Sequence, residues 1–544
     1  MDSYRKGGHL LGLGIGLGLA LSLAPITATA AETELGPQDD IEAAIGQMSP
    51  GDVLVLQGGM YLLEGRFGID NAGTEQAPIV IRAKEGEVPH FHRPNANQNI
   101  IDFDSAAYME IIGIEFSGGS AGLRLSDVSD LTIRDCEIHD TGDVALRAND
   151  GGVTYERLHL VHNHIHHTND TGEGMYLGCN NDGCRMADSI IELNYIHHTN
   201  QPSVQQGDGI EIKEGSYGNI VRDNVIHDTN YPCVLTYSAA NNGPANIIER
   251  NVMWNCGDHA IQSAADTIIR NNIILGSNAD GIAMQSHQSG APANLEVVHN
   301  TIFHASNDAI AVRDVVGSVV IANNAVFAQG GSAINLVSGD TNQVVVAGNV
   351  GQGGLAGAGA GYTDGDITQD FVDAHYGGMP PIDVFPTQGA LVGAGDPAYA
   401  LEDDFNALPR EGSVDVGAYA FDPEGNPGWA LAAEFKEFPD GADPGGDTGD
   451  SGDSGDDGSG GTGGETGSGS AGDGDDMGAT GADGDGSGTG GALPDPSGGG
   501  GGADDEGGGC GCRSGGTTGT GAMFLLGALG LSLTRRRRNV SSQV

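Results

Sequence analysis

Residues 163–166 read "NHIH", residues 194–197 read "NYIH" and residues 224–227 read "NVIH". The same slot recurs downstream as Asn251 (Val-Met-Trp), Asn272 (Ile-Ile-Leu), Asn300 (Thr-Ile-Phe) and Asn324 (Ala-Val-Phe), and upstream as Cys136 (Glu-Ile-His). Successive spacings are 27, 31, 30, 27, 21, 28 and 24 residues. A second feature is locked to the first. Ten residues after the slot stands an apolar residue, usually behind a small one: Ala145-Leu146, Cys233-Val234, Ala260-Ile261, Gly281-Ile282, Ala309-Ile310 and Ala333-Ile334. In two turns the distance grows, giving Gly174-Met175 and Gly209-Ile210, so those turns carry inserted loops, roughly Thr168–Gly172 and Tyr195–Gly207.

Short β-rich segments recurring at this period predict a parallel β-helix, an all-β solenoid in which each repeat is one coil. Apolar residues pile inside, and each Asn amide can donate and accept along the stack. A propeller needs longer four-stranded repeats, and a leucine-rich repeat needs its Leu pattern.

The ends have a different composition. Arg5 and Lys6, an apolar run Leu10–Leu23 and Ala28-Thr29-Ala30 have the layout of a secretory signal peptide over residues 1–31. The β-helix domain is expected over 32–425. Residues 426–508 are mostly Gly, Asp, Ser and Thr, as in "GGDTGDSGDSGDDGSGGTGG", and predict a disordered stalk. Much of the formal net charge of −51 falls there, which argues against a nucleic-acid partner. Residues 509–544 hold Cys510-Gly511-Cys512, a short apolar run Ala522–Leu533 and Arg535–Arg538.

Strand residues alternate in and out. With Ile210 and Ile212 inward, Glu211 and Lys213 point to solvent. The same register puts Arg147, Tyr176, Leu235, Tyr237, Gln262, Gln285 and Arg313 outward on neighbouring coils, a stripe of charged, aromatic and amide groups suited to a sugar chain. Lys213 is one of only four lysines. Glu173, Asp208 and Glu211 offer the oxygen ligands that Ca²⁺ takes. His139, His166, His197 and His227 each stand three residues after the slot, with His167 and His198 following two of them. They are read as a polar surface ladder on another sheet rather than a metal strip. Cys179 and Cys184 bracket "NNDG" and can close a small disulfide loop in an exported chain.

The chain resembles right-handed parallel β-helix proteins of the pectin-lyase-like kind, rich in polysaccharide lyases and hydrolases, over residues 38–424. Its start, "DIEAAIGQMSPGDVLVLQGGMY", is similar to their capping helix and first strand, and Asp404–Pro423 resembles a closing cap. Chondroitinase-B- and alginate-lyase-type enzymes resemble the Glu211–Lys213 arrangement. That resemblance implies a uronate lyase with Lys213 as base, Arg147 as a second catalytic cation, Tyr176, Tyr237, Gln262, Gln285 and Arg313 on the substrate, and Ca²⁺ on Glu173, Asp208 and Glu211. Two other readings stay open. One is a surface adhesin that binds polysaccharide without cleaving it. The other is a glycoside hydrolase using paired carboxylates among Asp143, Glu173, Asp208 and Asp258. The tail resembles myxobacterial MYXO-CTERM sorting tails. It implies a sorting protease acting at Cys510 and Cys512 and display at the cell surface, with membrane contact before processing. A monomer is expected.

Overall fold

The computed structural model describes residues 30–288 and 290–438. Nearly all of the expected signal peptide, most of the stalk, and the tail with Cys510 and Cys512 lie outside the described residues.

The described chain winds as a parallel β-solenoid, with three sheets of 15, 13 and 12 strands running its length. A typical coil supplies Ile220–Arg222 to sheet one, Val225–Thr229 to sheet two and Val234–Thr236 to sheet three. The next coil repeats the set in register, pairing Ile220 with Ile247, Val225 with Val252 and Val234 with Ile261. Strands of two to six residues suffice because their backbone groups pair with the coils above and below. Ile210, Val234, Ile261, Ile282, Ile310 and Ile334 stack inside as one buried column of the core.

The asparagine slots form the turn between sheets one and two. The Asn224 amide donates to the Ile191 carbonyl and to Asn251 Oδ1, both at 2.9 Å. Its own Oδ1 accepts from the Asn194 backbone and side chain, both at 2.9 Å. The ladder runs unbroken from Asn163 to Asn324, and Asn349 adds a rung beyond those expected. Cys136 begins it, donating its backbone N–H to Asn163 Oδ1 at 3.1 Å. The residue before each slot is left-handed, for example Asp223 at φ 58° and Asn271 at φ 54°. Asp, Asn and His recur there because short polar side chains tolerate that region. A second ladder, Ser189–Asn219–Asn246, lines another turn.

At the amino-terminal end a helix, Ile41–Ile45, is capped by Asp40 and buries Ile41 and Ile45. The strand Glu32–Leu35 precedes it and pairs with Val53–Leu56. The closing segment is structural but is not an end cap. It lies along the outer face of sheet two, where Val252, Ile273, Phe303 and Phe327 pack against Phe371, Phe405, Tyr419 and Trp429. This cover explains why the later coils carry little outward charge. The packed chain also continues past the expected boundary at residue 425. Trp429 and Leu431 are buried, and Lys436 is fully buried. Lys436 Nζ donates to Asp223 Oδ1 at 2.8 Å, to the Phe405 carbonyl at 2.7 Å and to the Arg250 carbonyl at 3.1 Å.

Candidate functional site

Sheet three brings the predicted residues into one row. Arg147 pairs with Tyr176, Tyr176 with Glu211, Glu211 with Leu235, and Leu235 with Gln262. Ile210 and Ile212 face the core, so Glu211 and Lys213 face away from it, as alternation requires. They do not reach solvent, however. Glu211 is 3% and Lys213 4% exposed, because aromatic groups from neighbouring coils close over them. The Lys213 Nζ lies 4.9 Å from the Tyr176 ring centre and 4.6 Å from that of Tyr237. His287 stacks on Tyr237 with centroids 5.0 Å apart. Gly178 makes room for the lysine. It holds φ +98°, and a Cβ there would stand 2.9 Å from Lys213 Cβ.

Lys213 Nζ donates to Glu211 Oε1 at 2.6 Å and to the Tyr237 hydroxyl at 3.2 Å, while that hydroxyl donates to the same Glu211 oxygen at 3.0 Å. Glu173 and Asp208, delivered by the two loop-bearing turns, complete the cluster. One carboxylate oxygen from each of Glu173, Asp208 and Glu211 lies within 4.8 Å of the others. Both oxygens of Glu173, Oδ1 of Asp208 and Oε2 of Glu211 are buried without a hydrogen-bond partner. Unpaired buried acceptors are costly. Three carboxylates whose oxygens approach one another, with four acceptors unpartnered, fit a hard cation such as Ca²⁺.

The electrostatics follow from this crowding. Burial and then the Glu211 charge push the Glu173 carboxyl up to about 7. Burial, Glu211 and Glu173 push Asp208 well above the usual range. Burial by itself would lower the lysine, but Glu211, Tyr176 and Asp208 outweigh it and hold Lys213 above its ordinary value.

The two expected loops pack on each other beside this cluster. The Gln205 N–H donates to the Asp170 carbonyl at 2.7 Å, and Ser203 Oγ to Asn169 Oδ1 at 2.6 Å. The second loop begins only after Thr199, since Tyr195–Thr199 is a strand of sheet two. Along the row, Gln285 donates to Gln262 at 3.2 Å, and Arg313 reaches Gln285 at 3.5 Å and Asp280 at 2.8 Å. Arg147 contacts Asp143 at 3.5 Å and leaves its Nε unpartnered. Asp258 lies beside His259, at 3.7 Å. Cys179 and Cys184 form the expected disulfide; Cys233–Cys256 is a second, and Cys136 is free and buried. The Cys233–Cys256 pair joins consecutive coils, which the repeat spacing alone does not reveal. The histidines lie on sheet two, away from Lys213, as their register implies.

Residues 24–184 match the family model described as Pel9A-like, right handed beta helix region, and residues 182–350 match the one described as right handed beta helix region. A curated relative, pectate lyase PEL9 of Emericella nidulans, is 31% identical over 114 residues, covering 18% of this chain and 28% of that protein. The chain thus spans little more than a quarter of the curated relative it matches. The solved pectate lyase Pel9A aligns at 14% identity and TM-score 0.46, covering 73% of this chain and 97% of that one. The alginate lyase from Paenibacillus sp. str. FPU-7 aligns at 18% identity and TM-score 0.36, covering 60% and 99%. By strand topology and by both matched models, the chain is a right-handed parallel β-helix.

Proposed function

We propose that this protein is a uronate lyase, cleaving an acidic polysaccharide by β-elimination at the Lys213 centre. One observation carries the reading. A lysine is bedded among three buried carboxylates that hold four unpartnered oxygens. A structural ion pair needs neither the two further buried carboxyls nor the orphaned acceptors.

The chemistry asks for a base, a proton donor and neutralisation of the uronate carboxylate. Bound Ca²⁺ would supply that positive charge from Glu173, Asp208 and Glu211. Ca²⁺ held by those carboxylates would offset the charges that keep Lys213 above its ordinary value, which a lysine acting as base requires. Lys213 Nζ would then take the proton alpha to the carboxyl of a uronate admitted past the Tyr176 and Tyr237 rings that now close over it. The C–H electrons form the C=C bond, and the glycosidic oxygen leaves with the C–O pair. That oxygen takes a proton from the Tyr237 hydroxyl. Burial and the Glu211 charge hold Tyr237 far above its ordinary value, hence protonated. Arg147, two coils away in the same row, is placed for a neighbouring sugar carboxylate, with Gln262, Gln285 and Arg313 further along.

A second reading has its own support. A Glu173 carboxyl near pKa 7 beside Asp208 suits the general acid of a glycoside hydrolase. The adhesin reading predicts binding without turnover. Export fits either enzyme, since the amino-terminal apolar stretch and the disulfides point the same way.

The test follows ultraviolet absorbance of the unsaturated uronate on pectate, alginate and chondroitin chains, with Ca²⁺ or chelator. A calcium-dependent rise, cut roughly 10²–10⁴-fold in Lys213→Ala, supports the lyase. Retention of a chain without any rise favours the adhesin.

A further inference from the structure

Sheet two carries a second cluster, which the lysine centre does not use. Its outward face holds His90, His92, His139, His164, His166, His167, His197, His198 and His227, nine of the 17 histidines in the chain. Rings on successive coils stack at 5.1 Å, His139 on His166, His166 on His197 and His197 on His227, and Trp254 closes the stack at 4.3 Å from His227. Stacking alone is a surface ladder. Two glutamates change its meaning.

Glu137 Oε1 lies 3.0 Å from His166 Nε2 and 3.5 Å from His164 Nδ1. One coil earlier, Glu115 Oε1 lies 3.2 Å from His139 Nε2 and 3.3 Å from His90 Nδ1. Each trio offers one ligand atom per residue, all within 4.8 Å. Donors around a tetrahedral cation with bonds near 2.1 Å stand roughly 3.4 Å apart, close to the four glutamate–histidine separations.

The other ring nitrogens are also engaged, as metal-binding imidazoles require. His164 Nε2 meets His197 Nε2 at 2.9 Å, and His166 Nδ1 meets His167 Nδ1 at 2.7 Å. His90 Nε2 meets Ser117 Oγ at 2.6 Å, and His139 Nδ1 meets Asp140 Oδ2 at 2.9 Å. Each ring thus turns one nitrogen to the glutamate and the other to a second partner. The rings are partly exposed, His166 at 14% and His164 at 29% of the side chain, so an ion can enter and leave.

We propose that Glu137–His164–His166 and Glu115–His90–His139 are two like binding sites, one coil apart, for a borderline divalent metal such as Zn²⁺. Imidazole with a single carboxylate selects this class, whereas the all-oxygen set on sheet three selects Ca²⁺. The two metals are thus sorted to different faces of one solenoid. Three protein donors leave a tetrahedral ion a further position for water or a ligand oxygen.

The test is calorimetric titration of the full chain with Zn²⁺ under millimolar Ca²⁺, with Co²⁺ visible absorption as a report of tetrahedral geometry. Two saturable sites are expected. Glu137→Gln with His166→Ala should remove one, and Glu115→Gln with His139→Ala the other. His197→Ala, which alters only an orienting ring, should weaken one site roughly 10–100-fold. Glu137→Gln alone keeps the side-chain shape, so a folding loss in the double variants does not block the result. Zn²⁺ binding that Ca²⁺ displaces, or that both double variants retain unchanged, overturns the proposal.

Discussion

Replacing Glu173 by Gln should stabilise the calcium-free protein, and only at the higher pH. Glu173 holds its proton up to about pH 7, against an ordinary value of 4.5, first because it is buried and then because Glu211 is near. Across that window the folded chain binds a proton that the unfolded chain has released. Stability therefore falls as pH rises from about 4.5 to about 7. Some two and a half units at ~1.4 kcal/mol each give a loss of about 3 kcal/mol. A glutamine carries no charge to bury, and its amide N–H groups can donate to the unpartnered oxygens of Asp208 and Glu211. For a domain of roughly 400 residues, with an unfolding entropy of about 0.8 kcal/mol/K, 3 kcal/mol is about 4 °C in Tm. The assay is a thermal melt of wild type and Glu173→Gln at pH 5 and pH 8, in chelator and in Ca²⁺. In chelator the variant should melt about 4 °C above wild type at pH 8 and level with it at pH 5. In Ca²⁺ wild type should gain more than the variant, which lacks a ligand. A variant that melts at or below wild type at pH 8 in chelator would refute the reasoning.

Three further outcomes follow from the packing. Asn224→Ala leaves the Ile191 carbonyl and the Asn194 N–H unpaired in the ladder, costing about 3 kcal/mol by denaturant titration. Lys436→Met strips a donor from Asp223 and two carbonyls and should cost about 3 kcal/mol; a chain ended at residue 425 should melt lower still, whereas an unchanged melt would return Lys436 to the stalk. Gly178→Ala forces a Cβ against Lys213 at positive φ; turnover should fall steeply while stability drops only by about 1–2 kcal/mol.

The ladder and the solenoid were legible in the sequence because an Asn slot has one geometry and repeats with the coil. Alternation then placed Glu211 and Lys213 on one outward row, and the inserted turns pointed to Glu173 and Asp208. Burial of that row was not legible. Tyr237 and His287 come from later coils, and nothing local marks them as a roof. The end of the packed chain was hidden by composition, since the Gly- and Asp-rich stalk dominates any window that begins at residue 426. "WALAAEFKEF", at 429–438, was the available signal, with Trp429, Leu431 and Lys436 later found buried. The histidine rows were visible, but their convergence on Glu115 and Glu137 depends on ring rotation, which spacing does not encode.

The most direct measurement is the mass of the products released from a defined oligouronate in Ca²⁺. Elimination yields fragments whose masses sum to that of the starting chain, one of them unsaturated. Hydrolysis adds one water to that sum. The account predicts unsaturated fragments without added water, absent in Lys213→Ala. Fragments carrying water, or products that persist in Lys213→Ala, would contradict it.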